Sequence, residues 1–411
     1  MKIRSITLFS ELELPLDLSH VRHLAETARA AKRAFEDAGY EVQTTRLATD
    51  LFPALVSIDA GGQMAATVVD LEACCREAGF DFVALGAAPP SSGPWVAEML
   101  AATDSIFVTT HLVKPGSGRI EGEAVWSAAR IIKAAAHIAD GFGNLRFAAL
   151  ANVAAGTPFF PAAYWTPAPP AFGIATQAAD LALEACLSAP DLAQAHAHLR
   201  DRVTDHGQIL TQVSEGIALD RRLRFLGIDF SPAPYPEPAD SIGAAIEALT
   251  GAPLGASGTL AAAATLTDAI QQARFPHAGF CGLMLPVLED GVLALRAAEG
   301  RLGIGELLQW SAVCGTGLDT VPIPGDVSEE ALTALLYDVA ALAVRLGKPL
   351  TARLMPLPGR RAGDAVHFDF PYFADGGVLP LPGHGGPHPA ESPLGRTRAQ
   401  DLSPIRSHSQ A

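Results

Sequence analysis

The 411-residue sequence is poor in charge, in cysteine and in long apolar runs. Only 18% of its residues are charged, and 29 Lys and Arg against 44 Asp and Glu leave a formal charge of −15. Counterion release from a polyanion needs clustered Lys and Arg, and no such cluster is present, which argues against a nucleic-acid or anionic-membrane partner. The five cysteines (Cys74, Cys75, Cys186, Cys281, Cys314) are scattered and odd in number. They give neither a disulfide framework nor a CxxC metal motif, so no metal site is expected. No stretch approaches the roughly 18 consecutive apolar residues that a spanning helix needs. The opening apolar run is too short for a signal sequence and is followed at once by Glu11 and Glu13. The expectation is a cytoplasmic protein.

What is present is core-forming material. At 49% hydrophobic residues, the chain buries a large interior and is not disordered as a whole. Residues 3–9 read as a strand. Val21, Leu24, Ala28, Ala31 and Phe35 then recur at helical spacing behind a cap at Asp17 or Ser19. The alternation continues with strands at 41–47, 80–85, 105–110 and 145–153, separated by helices. Residues 176–223 read as almost wholly helical. Strands return at 226–230, 281–288, 318–323 and 352–357, with helices at 241–249, 259–273, 306–313 and 329–346. Strands joined by helical crossovers predict an α/β fold with a largely parallel sheet, either a closed barrel or a wide open sheet. Residues 376–411 hold six Gly and six Pro with almost no apolar periodicity, and are expected to form a disordered or loosely draped tail. The boundaries are therefore a single domain over 1–375, with a helical insertion at about 176–223, and the tail.

Several segments carry residues fit for chemistry. Lys114-Pro-Gly-Ser-Gly-Arg119 is either an anion-holding loop or a tight turn with glycines at positive φ. Gly255-Ala-Ser-Gly-Thr259 offers the same choice between an anion cradle and a helix cap. The run from Phe230 to Ser241 has prolines at every second position from Pro232 to Pro238, which stiffens a loop beyond a strand, and Asp240 or Ser241 then caps a helix. Cys314, followed by Gly, can present its sulfur to a pocket with Asp319 as base or orienting group, or else sit inert in the core. Asp326 lies on the loop beyond the same short strand. Among the histidines, His111 is the one well placed for a site, just after a strand. His384 and His388 fall in the tail without partners for a metal.

Taken together these segments resemble a known family. Arg4-Ser-Ile-Thr, Ala151-Asn152-Val with Pro158-Phe159, Phe230-Ser-Pro-Ala-Pro with Asp240-Ser241-Ile, and Gly255-x-x-Gly-Thr259 occur in order. They are followed by Gly282-Leu-Met-Leu-Pro286 with Glu289-Asp290, by Cys314-x-x-Gly-Leu-Asp319 with Ile-Pro-Gly-Asp326, and by Arg353-Leu-Met-Pro with Gly363-Asp364. Over residues 1–375 the chain is similar to the DUF711 (UPF0210) family, proteins of unknown function. The resemblance implies a fold like the pyruvate-formate-lyase and ribonucleotide-reductase barrels. That fold is a ten-stranded α/β barrel of two half-barrels, with a central finger loop for which Cys314 is the candidate. No glycyl-radical loop precedes the tail, so radical chemistry is not implied. The chain also lacks the Val-Ser-Gly-Pro-Gly segment of longer members and has Pro and aromatic residues at 158–172 instead.

Two functions follow as expectations. One is a non-radical enzyme acting on a small anionic metabolite at the barrel mouth, with Cys314 and Asp319 catalytic and Asn152, Asp240, Ser241, Thr259, Asp326 and His111 binding the ligand. The other is a non-catalytic metabolite-binding or regulatory protein on the same barrel. Convergence of Asn152, Asp240, Thr259, Cys314 and Asp319 on one cavity is expected from a barrel rim. The sequence identifies no cofactor and leaves oligomeric state, a homodimer included, open.

Overall fold

The structure is a computed structural model that describes residues 1–58, 63–382, 393, 394 and 396–405. It is a mixed α/β fold with a large, mostly parallel central sheet covered by helices. In the first half, strands β1 (Lys2–Phe9), β2 (Val42–Ala48), β3 (Phe82–Ala87), β4 (Ile106–Val113), the short β5 (Arg119–Glu121) and β6 (Phe147–Ala151) follow one another. The second half adds β7 (Ala171–Gln177), β8 (Arg224–Ala233), β9 (Gly317–Pro324) and β10 (Leu350–Leu357). Short pairs at β11 (Ala365–Val366), β12 (Gly376–Gly377) and β13 (Ala399–Asp401) complete the set.

The main path runs β8-β7-β1-β2-β3-β4-β6-β10-β9. Strands β1, β2, β3, β4 and β6 are mutually parallel. β7 and β10 run antiparallel to the outer members of that set, and each continues into a parallel neighbour, β8 or β9. The N-terminal ends of the first set and the C-terminal ends of the second therefore lie at the same end of the sheet.

Residues 277–287 lie between the two end strands. They make one parallel bridge to β8, at Ile228–His277, and one to β9, at Pro286–Asp319. A regular strand was expected at 281–288, but the backbone there is irregular for identifiable reasons. Cys281 adopts φ 43°, and Pro286 has no N–H to donate to a ladder. Buried Asp229 takes over the pairing, accepting from Phe280 N at 2.9 Å and Cys281 N at 3.1 Å.

The helices follow their sequence signals closely. Helix Leu18–Asp37 buries Val21, Leu24, Ala28, Ala31 and Phe35, and Asp17 caps it by accepting from Ser19 N and His20 N. The expected helical stretch from 176 begins differently, because β7 extends to Gln177 before helices Ala179–Leu187 and Leu192–Arg221. One sheet face packs under this helical layer. The other covers residues 153–165, whose Phe159, Phe160, Tyr164 and Trp165 are buried against small side chains of the strands, including Ala48, Ala84, Ala148 and Ala175. Pro158 anchors the segment, its carbonyl accepting from Thr7 Oγ1 at 2.8 Å and Ser5 Oγ at 3.3 Å.

Part of the segment assigned to a tail belongs to the fold. Val378, Leu379 and Leu381 are buried, and β13 pairs antiparallel with β5. Composition underestimates this contribution because a few apolar side chains and a ladder of main-chain bonds suffice to dock a short segment. The remainder of 383–411 lies outside the described residues, as do His384 and His388. No described helix is long and apolar enough to cross a membrane.

Candidate functional site

At the shared strand end lies a cavity of about 190 Å³. Its charged lining comes from both strand sets: Arg4 from β1, Arg46 from β2, Arg146 just before β6, and Arg353 from β10, with Asp104 just before β4 and Glu289 beyond the 277–287 segment. Period-2 geometry explains the placement on β2, where Thr44, Arg46 and Ala48 share one face and Arg46 is thereby carried inward among apolar neighbours. Phe82, Phe107, Phe142, Phe160 and Phe370 supply most of the remaining wall.

Inside this frame the charges are unevenly matched. Arg353 Nε donates to Asp319 Oδ1 at 2.6 Å and its Nη2 donates to Glu289 Oε1 at 2.6 Å. Arg4 Nη2 donates to the other oxygen of Glu289 at 2.5 Å. Burial works against the Glu289 carboxylate, but Arg353 and then Arg4 outweigh it and hold its pKa below the usual range. For Asp319 burial prevails over the attraction of Arg353, and its pKa is pushed up. Arg146 is bound to main-chain carbonyls, Ile106 at 3.2 Å and Leu100 at 2.5 Å, and to Thr103 Oγ1 at 3.2 Å, so its donors hold the strand ends together.

Arg4 and Arg46 are less completely satisfied. Arg4 Nη1 is buried and has no hydrogen-bond partner among the described residues. Arg46 Nε donates to Thr44 Oγ1 at 2.9 Å, and no carboxylate among the described residues forms an ion pair with it. Burial, followed by repulsion from Arg4, pushes the Arg46 pKa below the ordinary guanidinium range. A delocalised guanidinium keeps its proton in proteins, so this cost is relieved by an anion more readily than by deprotonation. Both cations are braced by rings: Arg46 lies over Phe160 and Phe82, with centroids 5.0 and 5.5 Å away, and Arg4 over Phe159 and Tyr372 at 5.7 and 5.9 Å.

The residues singled out from sequence are distributed rather than gathered around this cavity. Asp319 reaches it through Arg353. Cys314 is buried in the core under the helical layer, its N–H donating to Trp310 O at 2.8 Å and its carbonyl accepting from Lys348 Nζ. Asn152 takes φ 57° and its Nδ2 donates to Ala343 O at 3.0 Å. Ser241 caps helix Ile242–Thr250 and donates to Asp290 Oδ1 at 2.6 Å. Asp240 ends a 3-10 turn beside it, its pKa raised by burial and then by Asp180. Thr259 Oγ1 accepts from Gly255 N at 3.1 Å, closing the glycine turn as a structural brace. Asp326 is on the surface beyond β9. His111 faces Tyr164 edge-on at 4.8 Å, and burial, with Lys114 second, pushes its pKa down to about 4. The Lys114–Arg119 stretch is the turn of the β4–β5 hairpin, with Gly116 and Gly118 at positive φ.

Sequence reasoning assigned no role to Arg46, and it quoted Arg4, Glu289 and Arg353 without one. The available signal is an arginine at an inward position of a strand otherwise without charge (Val42-Gln-Thr-Thr-Arg46-Leu-Ala48). Among the described residues, no group of three or more His, Cys, Asp or Glu side chains is arranged to hold a metal ion.

The family model described as Uncharacterised ACR (DUF711) matches residues 1–371. The chain is 35% identical over 280 residues to a UPF0210 protein of Pyrobaculum arsenaticum, covering 66% of this chain and 61% of that protein. It is 34% identical over 236 residues to one of Pyrobaculum aerophilum, covering 53% and 51% respectively. With a UPF0210 protein of Pyrobaculum islandicum it shares 32% identity over 365 residues, 82% of this chain and 78% of the relative. The chain thus spans about half to three-fifths of the length of the first two relatives.

Proposed function

The chain belongs to the DUF711 family, and on that premise we propose that it binds a small anionic metabolite in the cavity between Arg4 and Arg46. One observation carries the reading: among the described residues a buried guanidinium donor, Arg4 Nη1, is left without a partner beside a second buried guanidinium that has no carboxylate of its own. Buried donors are almost always satisfied, and a buried unpaired cation is costly, so an anion from outside the chain completes the site. The two guanidinium edges supply N–H donors suited to carboxylate or phosphate oxygens.

The reading is of binding rather than turnover. Both buried carboxylates of the site are engaged by Arg353 and Arg4, which leaves neither poised as a free base. The Cys314 thiol sits in the core rather than in the cavity wall. Calorimetric titration with acetate, inorganic phosphate and benzoate tests the proposal. At least one anion should bind the wild-type protein, and Arg46→Met, folded by circular dichroism, should bind it at least tenfold more weakly. Absence of binding at millimolar concentration, or an unaffected variant, overturns it.

A further inference from the structure

Resting on the anion-site reading, we propose that the ligand is an aromatic monocarboxylate of about benzoate size. Three features of the cavity select this class.

The first is charge balance. Arg4, Arg46, Arg146 and Arg353 are the four guanidiniums lining the site; against them stand Glu289 and Asp104 in the lining and Asp319 behind Arg353, three carboxylates in all. One positive charge is left over. A monoanion neutralises it, whereas a phosphate dianion exchanges an unpaired buried cation for an unpaired buried anion, which carries its own desolvation cost.

The second is donor geometry. Arg46 and Arg4 each lie over two aromatic rings, so the hydrogen-bonding directions open to a ligand lie in the plane of each guanidinium. That edge matches the two coplanar oxygens of a carboxylate.

The third is the rest of the wall. Beyond the charged groups it is mainly aromatic, with Leu145, Gln43 and Thr44 filling the remainder. Phe107 meets Phe82 and Phe160 edge-on, with centroids 5.3 and 5.2 Å apart, and Phe142 meets Phe370 edge-on at 5.0 Å. A ligand ring can meet these rings in the offset or edge-to-face contacts that aromatic pairs favour. The size agrees: an apolar cavity of about 150 Å³ is known to hold benzene, and about 190 Å³ adds room for one carboxylate.

The test is calorimetry on the full chain with benzoate, acetate and inorganic phosphate at neutral pH. Benzoate should bind at least tenfold more tightly than either of the others. Phe370→Ala, at a half-buried position, should weaken benzoate at least fivefold and change acetate by less than twofold. Phe142→Leu serves the same purpose if the first variant does not fold. Acetate or phosphate binding as tightly as benzoate overturns the aromatic-acid assignment while leaving the anion site standing. Failure of all three anions to bind overturns both.

Discussion

Arg353 and Glu289, 64 residues apart in sequence, meet at 2.6 Å from Nη2 to Oε1 with both side chains buried. The same guanidinium holds Asp319 from the neighbouring strand, so one cation ties together β9, β10 and the chain beyond residues 277–287.

Removing that cation strands Asp319 and leaves Glu289 with Arg4 alone. Arg353→Met is expected to lower stability by about 3–5 kcal/mol, the usual cost of breaking a buried ion pair from one side. Urea unfolding measures it. Combining the change with Asp319→Asn should recover much of the loss, because the uncompensated charge goes with it. A single variant as stable as the wild type contradicts the ion-pair account.

Arg46 should behave in the opposite way. It has no carboxylate partner to strand among the described residues, so Arg46→Met is expected to keep or raise stability in the absence of ligand. Any rise in Tm that a binding anion gives the wild-type protein should disappear, since ligand stabilisation follows from affinity. Thermal melts with and without the anion check both statements. A large loss of stability without ligand would mean that Arg46 is satisfied within the fold.

The C-terminal segment is expected to contribute to stability. Gly122 N donates to Arg398 O at 2.7 Å, Tyr337 Oη to Thr397 O at 2.9 Å, and Leu402 N to Gly118 O at 2.9 Å. Deletion from residue 393 onward should cost roughly 1–3 kcal/mol on that count. A Cβ added at Gly122 would lie 2.0 Å from Thr397 O, so Gly122→Ala should displace the strand and reproduce most of the loss. Unchanged denaturation midpoints for both variants would separate the segment from the core.

His111 should account for part of the acid sensitivity. Its pKa falls from the ordinary 6.5 to about 4 in the fold, through burial and then Lys114. Below pH of about 6.5 the unfolded chain takes up a proton that the folded chain refuses until about pH 4. Stability from this group is therefore complete above that window and is lost as pH falls through it. His111→Phe should flatten the slope of stability against pH there by up to about one proton. An unchanged slope would contradict a neutral, buried His111.

Local signals made most of the fold legible. The i, i+3, i+4 pattern behind Asp17 and the β–α alternation describe elements that form from nearby residues. β7 escaped because Gly173 and its alanines dilute the strand signal ahead of an Ala-rich helix. The 281–288 segment looked like a strand by apolarity, but its pairing is settled by Asp229, about fifty residues away. The site was harder to read for the same reason. Motif position singles out Cys314, Asn152 and Thr259, whose partners in the fold are nearby backbone or neighbouring helices. The cavity instead gathers arginines from four distant segments, and only the sheet order brings them together.

In a crystal of the protein grown with 4-bromobenzoate, anomalous scattering should locate the bromine among Phe107, Phe142 and Phe370, with the carboxylate within hydrogen-bond distance of Arg46 and Arg4 Nη1. Bromine found at another cleft, such as the one beside Arg224 and His277, with the Arg4–Arg46 cavity holding no anion at saturating ligand, would contradict this placement.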